Sequence, residues 1–149
     1  DRQRIVELQG MLFFGSATRL VQQVEAVLGG RAPPERLLFD FQHVRWVDSS
    51  AAMSLGRLFR QAAAQDVQVE ISHLQAGVRQ ALQAAGCLGP GSPMCHDSID
   101  AAVSLWDDEA LARAQSPQAA LEAALPPLAR LAQGEGVLVT PEGTVKLTF

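Results

Sequence analysis

The chain has 149 residues, a formal net charge of −4, 48% hydrophobic residues and 19% charged residues. These totals suit one globular domain with a sizeable core and leave room for an appendage. The weak acidity and the scattered basic residues argue against nucleic acid as a partner, because binding to phosphates requires clustered Lys and Arg. No run of about 20 apolar residues and no signal peptide is present, so we expect no membrane span in this sequence.

The first third of the chain predicts two short strands and a helix. Residues 4–9 (RIVELQ) place β-branched residues beside polar ones, which is typical of a strand, and a glycine ends this run. Residues 11–14 (MLFF) form a second apolar run that is too short for a helix. Gly15 and Ser16 then supply a break and a helix N-cap, and apolar residues at helical spacing follow from Ala17.

The middle of the chain alternates strands with helices. An apolar run at 37–41 predicts a central strand, followed by a short loop that ends at Asp48 and by an amphipathic helix over 50–64. Period-two alternation at 67–72 predicts a strand with one buried face. Residues 76–85 then predict a helix that a glycine stops.

The predicted element order is β-β-α-β-α-β-α-β-α. Its last members are a short strand at 94–96 and a helix that Asp97 caps, which carries Trp106 on its apolar side and runs to about Ala114. Alternation of this kind predicts an α/β fold with a mixed, mostly parallel sheet and helices packed on it. Because no helix separates the first two strands, the first can be an antiparallel edge strand.

The remaining residues differ in character. An Ala- and Leu-rich helix is predicted over 117–125, and a β-hairpin is predicted from strands at 137–140 and 144–147 around a Pro-Glu-Gly turn. An isolated hairpin is marginally stable, so it must pack on the domain, pair with another chain or begin a further domain. We therefore divide the chain into an α/β domain at 1–114 and an extension at 115–149, which is a helical linker followed by the hairpin.

The cysteines do not form a recognisable metal motif. Cys87 and Cys95 lie eight positions apart, and together with His73 and His96 they match no familiar zinc spacing. We therefore predict two reduced cysteines, no metal and no cofactor.

Five short stretches occur in the order that is expected for one known domain: GMLFFGSA at 10–17, LFDF at 38–41, VDSS at 47–50, ISH at 71–73 and DSIDAA at 97–102. Together they resemble the STAS domain, which is named for sulfate transporters and anti-sigma factor antagonists. The resemblance covers about residues 4–114 and implies the fold of the antagonists. It also implies a regulatory and interaction domain rather than an enzyme.

Two of these stretches differ between the branches of the family. GMLFFGSA resembles the version found in the cytosolic tail of SulP-type anion transporters, since stand-alone antagonists seldom have the paired Phe13 and Phe14. VDSS resembles both branches, and in the antagonists its second Ser accepts phosphate from the anti-sigma kinase. Ser50 holds that position here, but Ala51 replaces the Gly that usually follows.

Asp48, Ser49 and Ser50 follow the central strand and precede a helix, where free backbone N–H groups gather. Asp and Ser are preferred N-cap residues, so capping alone explains them. A phosphate on Ser50 would lie at the positive end of a helix dipole, while Asp48 would repel it, so modification would change the surface charge and expel a partner.

Trp46 beside the loop is either an exposed anchor or packed against the loop. We predict a partner-contact loop of Trp46, Asp48, Ser49 and Ser50, with Ser50 and Ser49 as candidate phospho-acceptor or regulatory residues.

Other chemistries lack a motif. No G-x-S-x-G sequence is present, and His43 and His73 have no recognisable triad context, so the sequence does not favour a hydrolase. Residues 10–15 lack both a P-loop Lys and the G-x-G-x-x-G spacing, so a nucleotide site has no motif, and nucleotide binding stays open only because the resemblance to STAS domains implies it for some members. Phe13 and Phe14 would point to opposite faces of a strand, which predicts that one of them is in the core.

The resemblance therefore favours a non-catalytic regulatory domain of a bacterial SulP-type anion transporter, on the cytoplasmic side of the inner membrane. Its expected partners are the transmembrane domain of that transporter and other subunits or a soluble regulatory protein. The alternative is a soluble anti-sigma factor antagonist switched by phosphorylation at Ser50. The phenylalanine pair favours the first hypothesis. So does the start at Asp1 without a Met, from which we expect a segment of a longer protein.

Overall fold

The computed structural model describes residues 3–89, 93–115, 137–139 and 144–148. Strands and helices alternate through most of the chain, and two strands follow at the end. The elements are β1 (Gln3–Leu12), α1 (Phe14–Leu28), β2 (Arg36–Val47), α2 (Ser49–Ala64), β3 (Gln68–Ser72), α3 (Ala76–Ala84), β4 (Met94–His96), α4 (Ile99–Ala114), β5 (Val137–Val139) and β6 (Thr144–Thr148).

The described strands form one sheet in the order β4-β3-β2-β1-β6-β5. Strands β1 to β4 are parallel to their neighbours, β6 joins β1 in parallel, and β5 pairs with β6 in antiparallel orientation. The predicted α/β class with a mixed, mostly parallel sheet and an antiparallel edge strand is confirmed.

The prediction that two strands open the chain is wrong, because β1 is a single strand at the centre of the sheet. Gly10, which was expected to end a strand, instead continues it with a φ of 111° and pairs with Val44 of β2. A glycine adopts this backbone conformation without a steric penalty, so the strand passes through it. The antiparallel edge strand is β5 and not the first strand of the chain.

Strand β2 is longer than the apolar run at 37–41 indicates, since it continues through the predicted loop to Val47. Glu7 pairs with Asp40 and Gln9 pairs with His43, so β2 has one residue more than β1 over this stretch. The same excess of one residue occurs a second time before the strand ends. Each extra residue is a bulge in β2. The bulges replace the alternation of buried and exposed residues by a repeat of one buried and two exposed residues, which a search for period two does not find.

The main core lies between one face of the sheet and helices α1, α2 and α3. The rings of Phe39 on β2 and Phe59 on α2 meet in a tilted arrangement with their centroids 5.5 Å apart. The largest side chains that are fully buried in this cluster are Phe39, Phe41, Leu8, Leu12, Leu20, Leu37, Leu55, Leu58, Ile71 and Leu82.

The other face of the sheet is covered by α4 through a much smaller apolar cluster. Leu38, Ala102 and Trp106 are buried there, with Ile5 and Val103 partly buried beside them. Trp106 is therefore a core residue, as its position in the helical pattern predicts. The N-cap of α4 is Ser98, whose hydroxyl accepts from the Ala101 N–H at 3.0 Å, and not the neighbouring Asp97.

Buried charges complete the contact of α4 with the sheet. The Glu70 carboxylate accepts from Trp106 Nε1 at 2.7 Å and lies 2.9 Å from His96 Nε2. Arg36 places its Nε 3.7 Å from Glu70 and its Nη2 2.6 Å from Glu109 on α4, and its guanidinium lies 5.6 Å from the centre of the Trp106 ring. A carboxylate as buried as Glu70 is tolerated because these groups surround it.

The C-terminal hairpin forms as predicted from β5 and β6, and β6 extends the sheet by pairing with Ile5 to Gln9 of β1. The predicted helix over 117–125 and the turn at 141–143 lie outside the described residues. The division between 1–114 and 115–149 stays a prediction. Within the described part of the chain, no helix combines the length and the apolar character that crossing a bilayer requires.

The contrast between buried and exposed phenylalanines can be measured. We expect Phe39→Ala to lower the free energy of unfolding by about 3–5 kcal/mol, because it leaves a cavity at the centre of the core. Phe14→Ala, at a side chain that is 65% exposed, should change it by less than about 0.5 kcal/mol. Urea unfolding followed by circular dichroism measures both, and equal losses would contradict the surface position of Phe14.

Candidate functional site

Asp48 joins the starts of two helices. Its Oδ1 accepts from the Ala51 N–H of α2 at 2.6 Å, and its Oδ2 accepts from the Phe14 N–H of α1 at 3.3 Å. Its own N–H donates to the Leu12 carbonyl at the end of β1, at 3.0 Å. One carboxylate therefore caps α2, contacts the first residue of α1 and places negative charge at the positive ends of both helices. Asp48 has a structural role in addition to any role in binding.

A second set of hydrogen bonds turns the chain from β1 into α1. Ser16 is the third residue of α1 and not its N-cap, and its buried hydroxyl accepts from the Phe13 N–H at 3.0 Å and lies 2.9 Å from the Met11 carbonyl. The Phe13 ring lies over Gly15, where a Cβ would be only 3.1 Å from the ring edge. The helix therefore begins at Phe14, three residues earlier than the sequence predicts.

This geometry overturns the expectation that Phe13 or Phe14 is in the core. Phe13 is 48% exposed and Phe14 is 65% exposed. The physical reason is that β1 ends at Leu12, so neither ring takes part in the alternation of the strand. Both rings lie on the protein surface at the start of α1.

Large apolar side chains are exposed at the carboxyl ends of β1 and β2. Trp46 at the end of β2 is 52% exposed, which decides between the two interpretations of this residue in favour of the surface. The two strands are paired up to Leu12 and Val47, so their ends and the helices that follow them lie side by side. We call this region the carboxyl-edge surface and define its apolar part by Met11, Phe13, Phe14, Trp46 and Met53.

The two serines of the predicted contact loop open α2 at this surface. Ser49 and Ser50 are the first two residues of the helix, and both are exposed. Their side-chain hydroxyls have no hydrogen-bond partner among the described residues, in contrast to the fully used carboxylate of Asp48. Both hydroxyls are therefore open to a partner or to modification, and their roles stay a prediction.

Sequence reasoning missed Met11 and Met53 as members of this surface. Met11 belongs to the apolar run MLFF, which predicted a strand, and Met53 lies in the amphipathic helix predicted over 50–64, where it was not singled out. Met53 is 59% exposed and Met11 is 61% exposed. The only signal in the sequence that could have indicated this surface was the clustering of apolar residues around the strand ends. Whether these residues are exposed depends on the packing of α1 against α2, which the sequence does not show.

A cluster of the buried Asp40 and Ser72 with the partly exposed His73 contains the residue types of a hydrolase triad in a different arrangement. The Asp40 Oδ1 accepts from the Ser72 hydroxyl at 2.8 Å and lies 2.7 Å from His73 Nδ1. A nucleophilic serine needs a hydrogen bond to the imidazole, whereas both groups here meet the carboxylate. The geometry therefore satisfies a buried Asp and does not activate Ser72.

Metal ligands do not gather in the described part of the chain. Across residues 3–89 and 93–115 and the two terminal strands, no three His, Cys, Asp or Glu residues lie close enough to hold an ion. Cys87 is buried and Cys95 is exposed, and both are free thiols.

The family of the chain follows from comparison with known proteins. The family model of the STAS domain matches residues 1–97. This match covers well over half of the chain and includes β1 to β4 and the carboxyl-edge surface. The protein belongs to the STAS domain family.

Two solved structures show the same fold. A sulfate transporter family protein from Wolinella succinogenes is 22% identical with a TM-score of 0.58, over 69% of this chain and 83% of that chain. A SulP transporter STAS domain from Vibrio cholerae is 20% identical with a TM-score of 0.60, over 74% of this chain and 85% of that chain. No curated protein matches the chain in sequence.

The capping role of Asp48 leads to a stability prediction. We expect Asp48→Ala to lower the free energy of unfolding by about 1–2 kcal/mol, because it leaves the Ala51 and Phe14 N–H groups without their acceptor. Asp48→Asn should retain most of this stability, since an amide oxygen still accepts. Ser50→Ala is the matched control and should change stability by less than about 0.5 kcal/mol. Urea titrations of the three variants measure the differences, and an Ala variant as stable as the wild type would contradict the double cap.

Proposed function

We propose that this STAS domain is the non-catalytic regulatory and interaction domain of a bacterial SulP-type anion transporter. It would lie on the cytoplasmic side of the inner membrane, contact the transmembrane domain of the transporter and modulate transport and assembly. The observation that carries the proposal is the carboxyl-edge surface, where large apolar side chains are exposed at the ends of β1 and β2 and in the first turns of α1 and α2. The two transporter structures support it at the level of the fold.

The physical argument begins with solvent exposure. Met11, Phe13, Phe14, Trp46 and Met53 are each about half exposed or more, although the chain has a core large enough to bury side chains of this size. Large apolar patches on a soluble domain mark interaction sites, and aromatic anchors contribute a large share of the energy of protein interfaces. Burial of this surface against another protein domain would remove the rings from water and stabilise the complex.

The serines at the start of α2 supply a means of regulation. A phosphate on Ser50 would add negative charge beside Asp48 and in the middle of an apolar contact. The cost of removing this charge from water would oppose docking. We therefore propose Ser50, and secondarily Ser49, as regulatory positions in a partner-contact loop with Trp46 and Asp48.

The second candidate function is a soluble anti-sigma factor antagonist switched by phosphorylation at Ser50. The observation that favours it is the exposed Ser50 hydroxyl, which has no hydrogen-bond partner among the described residues and lies on the first turn of α2. In this case the carboxyl-edge surface would contact the kinase instead of a membrane domain. The two functions differ in the size and the cellular location of the native protein.

Fractionation of the native host with an antibody against this domain separates the two functions. A single band much heavier than 15.9 kDa, found only in the membrane pellet, is the expected result for the transporter. A band near this mass in the soluble fraction would overturn the transporter proposal and favour the antagonist. A search for the kinase and for phosphate on Ser50 would follow.

Within the full-length transporter, the surface itself can be tested by anion uptake. We expect Phe14→Glu and Trp46→Glu to lower uptake about tenfold at equal protein abundance, because a charge in place of an aromatic anchor weakens docking. Leu111→Glu on α4 is the matched control, since Leu111 is also exposed, at 63%, but lies on the other side of the sheet. Uptake that falls equally in all three variants, or in none, would contradict a specific role of the carboxyl-edge surface.

A further inference from the structure

A cavity of about 520 Å³ lies beside the second half of α2, away from the carboxyl-edge surface. It lies beside the start of β3, where Gln68 and Val69 have no strand partner on the β4 side among the described residues, since β4 pairs with Glu70 to Ser72. The walls are mostly apolar and include Phe59, Ala63, Val67, Val69, Cys87 and Met94.

The Cys87 side chain forms an apolar wall of the cavity, and its thiol already has a hydrogen-bond partner. The thiol donates to the Ala52 carbonyl of α2 at 2.9 Å, so it needs no water in the cavity. Gly56 permits this close approach, because a Cβ there would lie 3.0 Å from the Cys87 sulfur. Burial raises the pKa of the Cys87 thiol and outweighs the opposing effect of Arg60, which keeps this wall uncharged at neutral pH.

Arg60 is the charged member of the lining. Its Nη1 lies 3.5 Å from the position of a Cβ on Gly56, one turn earlier on α2, so the guanidinium extends along the cavity. Among the described residues no carboxylate forms an ion pair with Arg60, and no Asp or Glu lines the cavity. Among the described lining residues, the apolar walls are therefore bordered by one cation, the exposed Arg60, and this arrangement is complementary to a ligand that is apolar and carries one negative charge.

We propose that this cavity binds a small amphipathic carboxylate, with its apolar part between Phe59, Val69 and Met94 and its carboxylate against Arg60. The volume lies within the range of roughly 300–1,000 Å³ that is usual for small-molecule sites. The guanidinium has a planar set of donors that matches a carboxylate. The apolar walls select for the hydrocarbon part, and the single cation selects for the anionic head.

This site is independent of the proposed docking function. The cavity is lined by the second half of α2, whereas Ser49 and Ser50 at the first turn of the same helix belong to the carboxyl-edge surface. The ligand site can therefore be tested on the chain of 149 residues without the transporter. Its failure would leave the docking proposal unchanged.

The test uses decanoate below its critical micelle concentration as the probe, measured by isothermal titration calorimetry. We expect one decanoate to bind per chain, while acetate lacks the apolar part and decyltrimethylammonium lacks the negative charge, so neither should bind. Equal binding of the cationic amphiphile would overturn the assignment of the anionic head to Arg60. Absence of decanoate binding would overturn the site.

Two pairs of variants locate the ligand. Ala63→Trp should abolish decanoate binding by filling the cavity, whereas Ala64→Trp, at the next exposed residue outside the lining, should leave it unchanged. Arg60→Gln should weaken decanoate binding about fivefold, as expected for the loss of a solvent-accessible ion pair, and Arg57→Gln should not weaken it. Equal effects within either pair would overturn the site.

Cys87 offers a readout from the cavity wall itself. In a Cys95→Ser background, decanoate should slow the reaction of the remaining thiol with a soluble disulfide reagent severalfold. The assay should be run at alkaline pH, because burial raises the pKa of Cys87 and only the thiolate reacts. A thiol reaction that decanoate does not slow would overturn the proposal. Amide chemical-shift changes on addition of decanoate that are confined to Phe13, Phe14 and Trp46 would also overturn it, because they would show non-specific binding at the exposed apolar surface.

Discussion

The double contact of Asp48 is the interaction on which the exposed surface depends. One carboxylate binds backbone N–H groups at the starts of α1 and α2, which holds the two β–α junctions side by side. Phe13 and Phe14 lie where β1 gives way to α1, and Trp46 lies on the bulged end of β2. All three side chains remain exposed to water, where another surface can cover them. The same residue that stabilises the fold thus holds in place the surface that we propose as the contact site.

The two faces of the sheet are stabilised in different ways. The face toward α1, α2 and α3 is a continuous apolar core, whereas the face toward α4 combines a few apolar residues with the buried carboxylate of Glu70. A parallel sheet needs cover on both faces, and α4 supplies it with little apolar area. The hydrogen bond from Trp106 to Glu70 and the ion pair of Arg36 with Glu109 define where α4 docks, because a displaced helix would take Trp106 away from the buried Glu70 and Glu109 away from Arg36. The larger core supplies most of the stability, and the polar contacts specify the position of α4.

The long helix α2 connects the two proposed binding regions. Its first turn carries Ser49 and Ser50 beside the exposed aromatic residues, and its second half forms a wall of the apolar cavity with Arg60. The middle of the helix packs against β2 through side chains such as Leu55 and Phe59. A helix that packs on the sheet along one face can hold two sites at a fixed separation, which suits a domain that acts by contact. The STAS fold places the carboxyl ends of its parallel strands at the first of these sites, as α/β folds commonly do with binding sites.

The sequence by itself determined the class of fold, the family and the position of most helices and strands. Helix periodicity located α2 and α3 to within a residue or two, and alternation located β3, because these patterns follow from local geometry and from one buried face. The tertiary structure decided the features that depend on distant partners. Gly10 continues β1 because β2 lies beside it. The bulges in β2 remove the period-two pattern from its second half, so the sequence pattern predicts a strand that is too short. The N–H of Phe14 finds its acceptor in Asp48, 34 residues away, so α1 begins before its local capping signal and both phenylalanines reach the surface. Local patterns record which side chains prefer burial, but only the packing of neighbouring strands and helices decides which of them remain exposed for a partner.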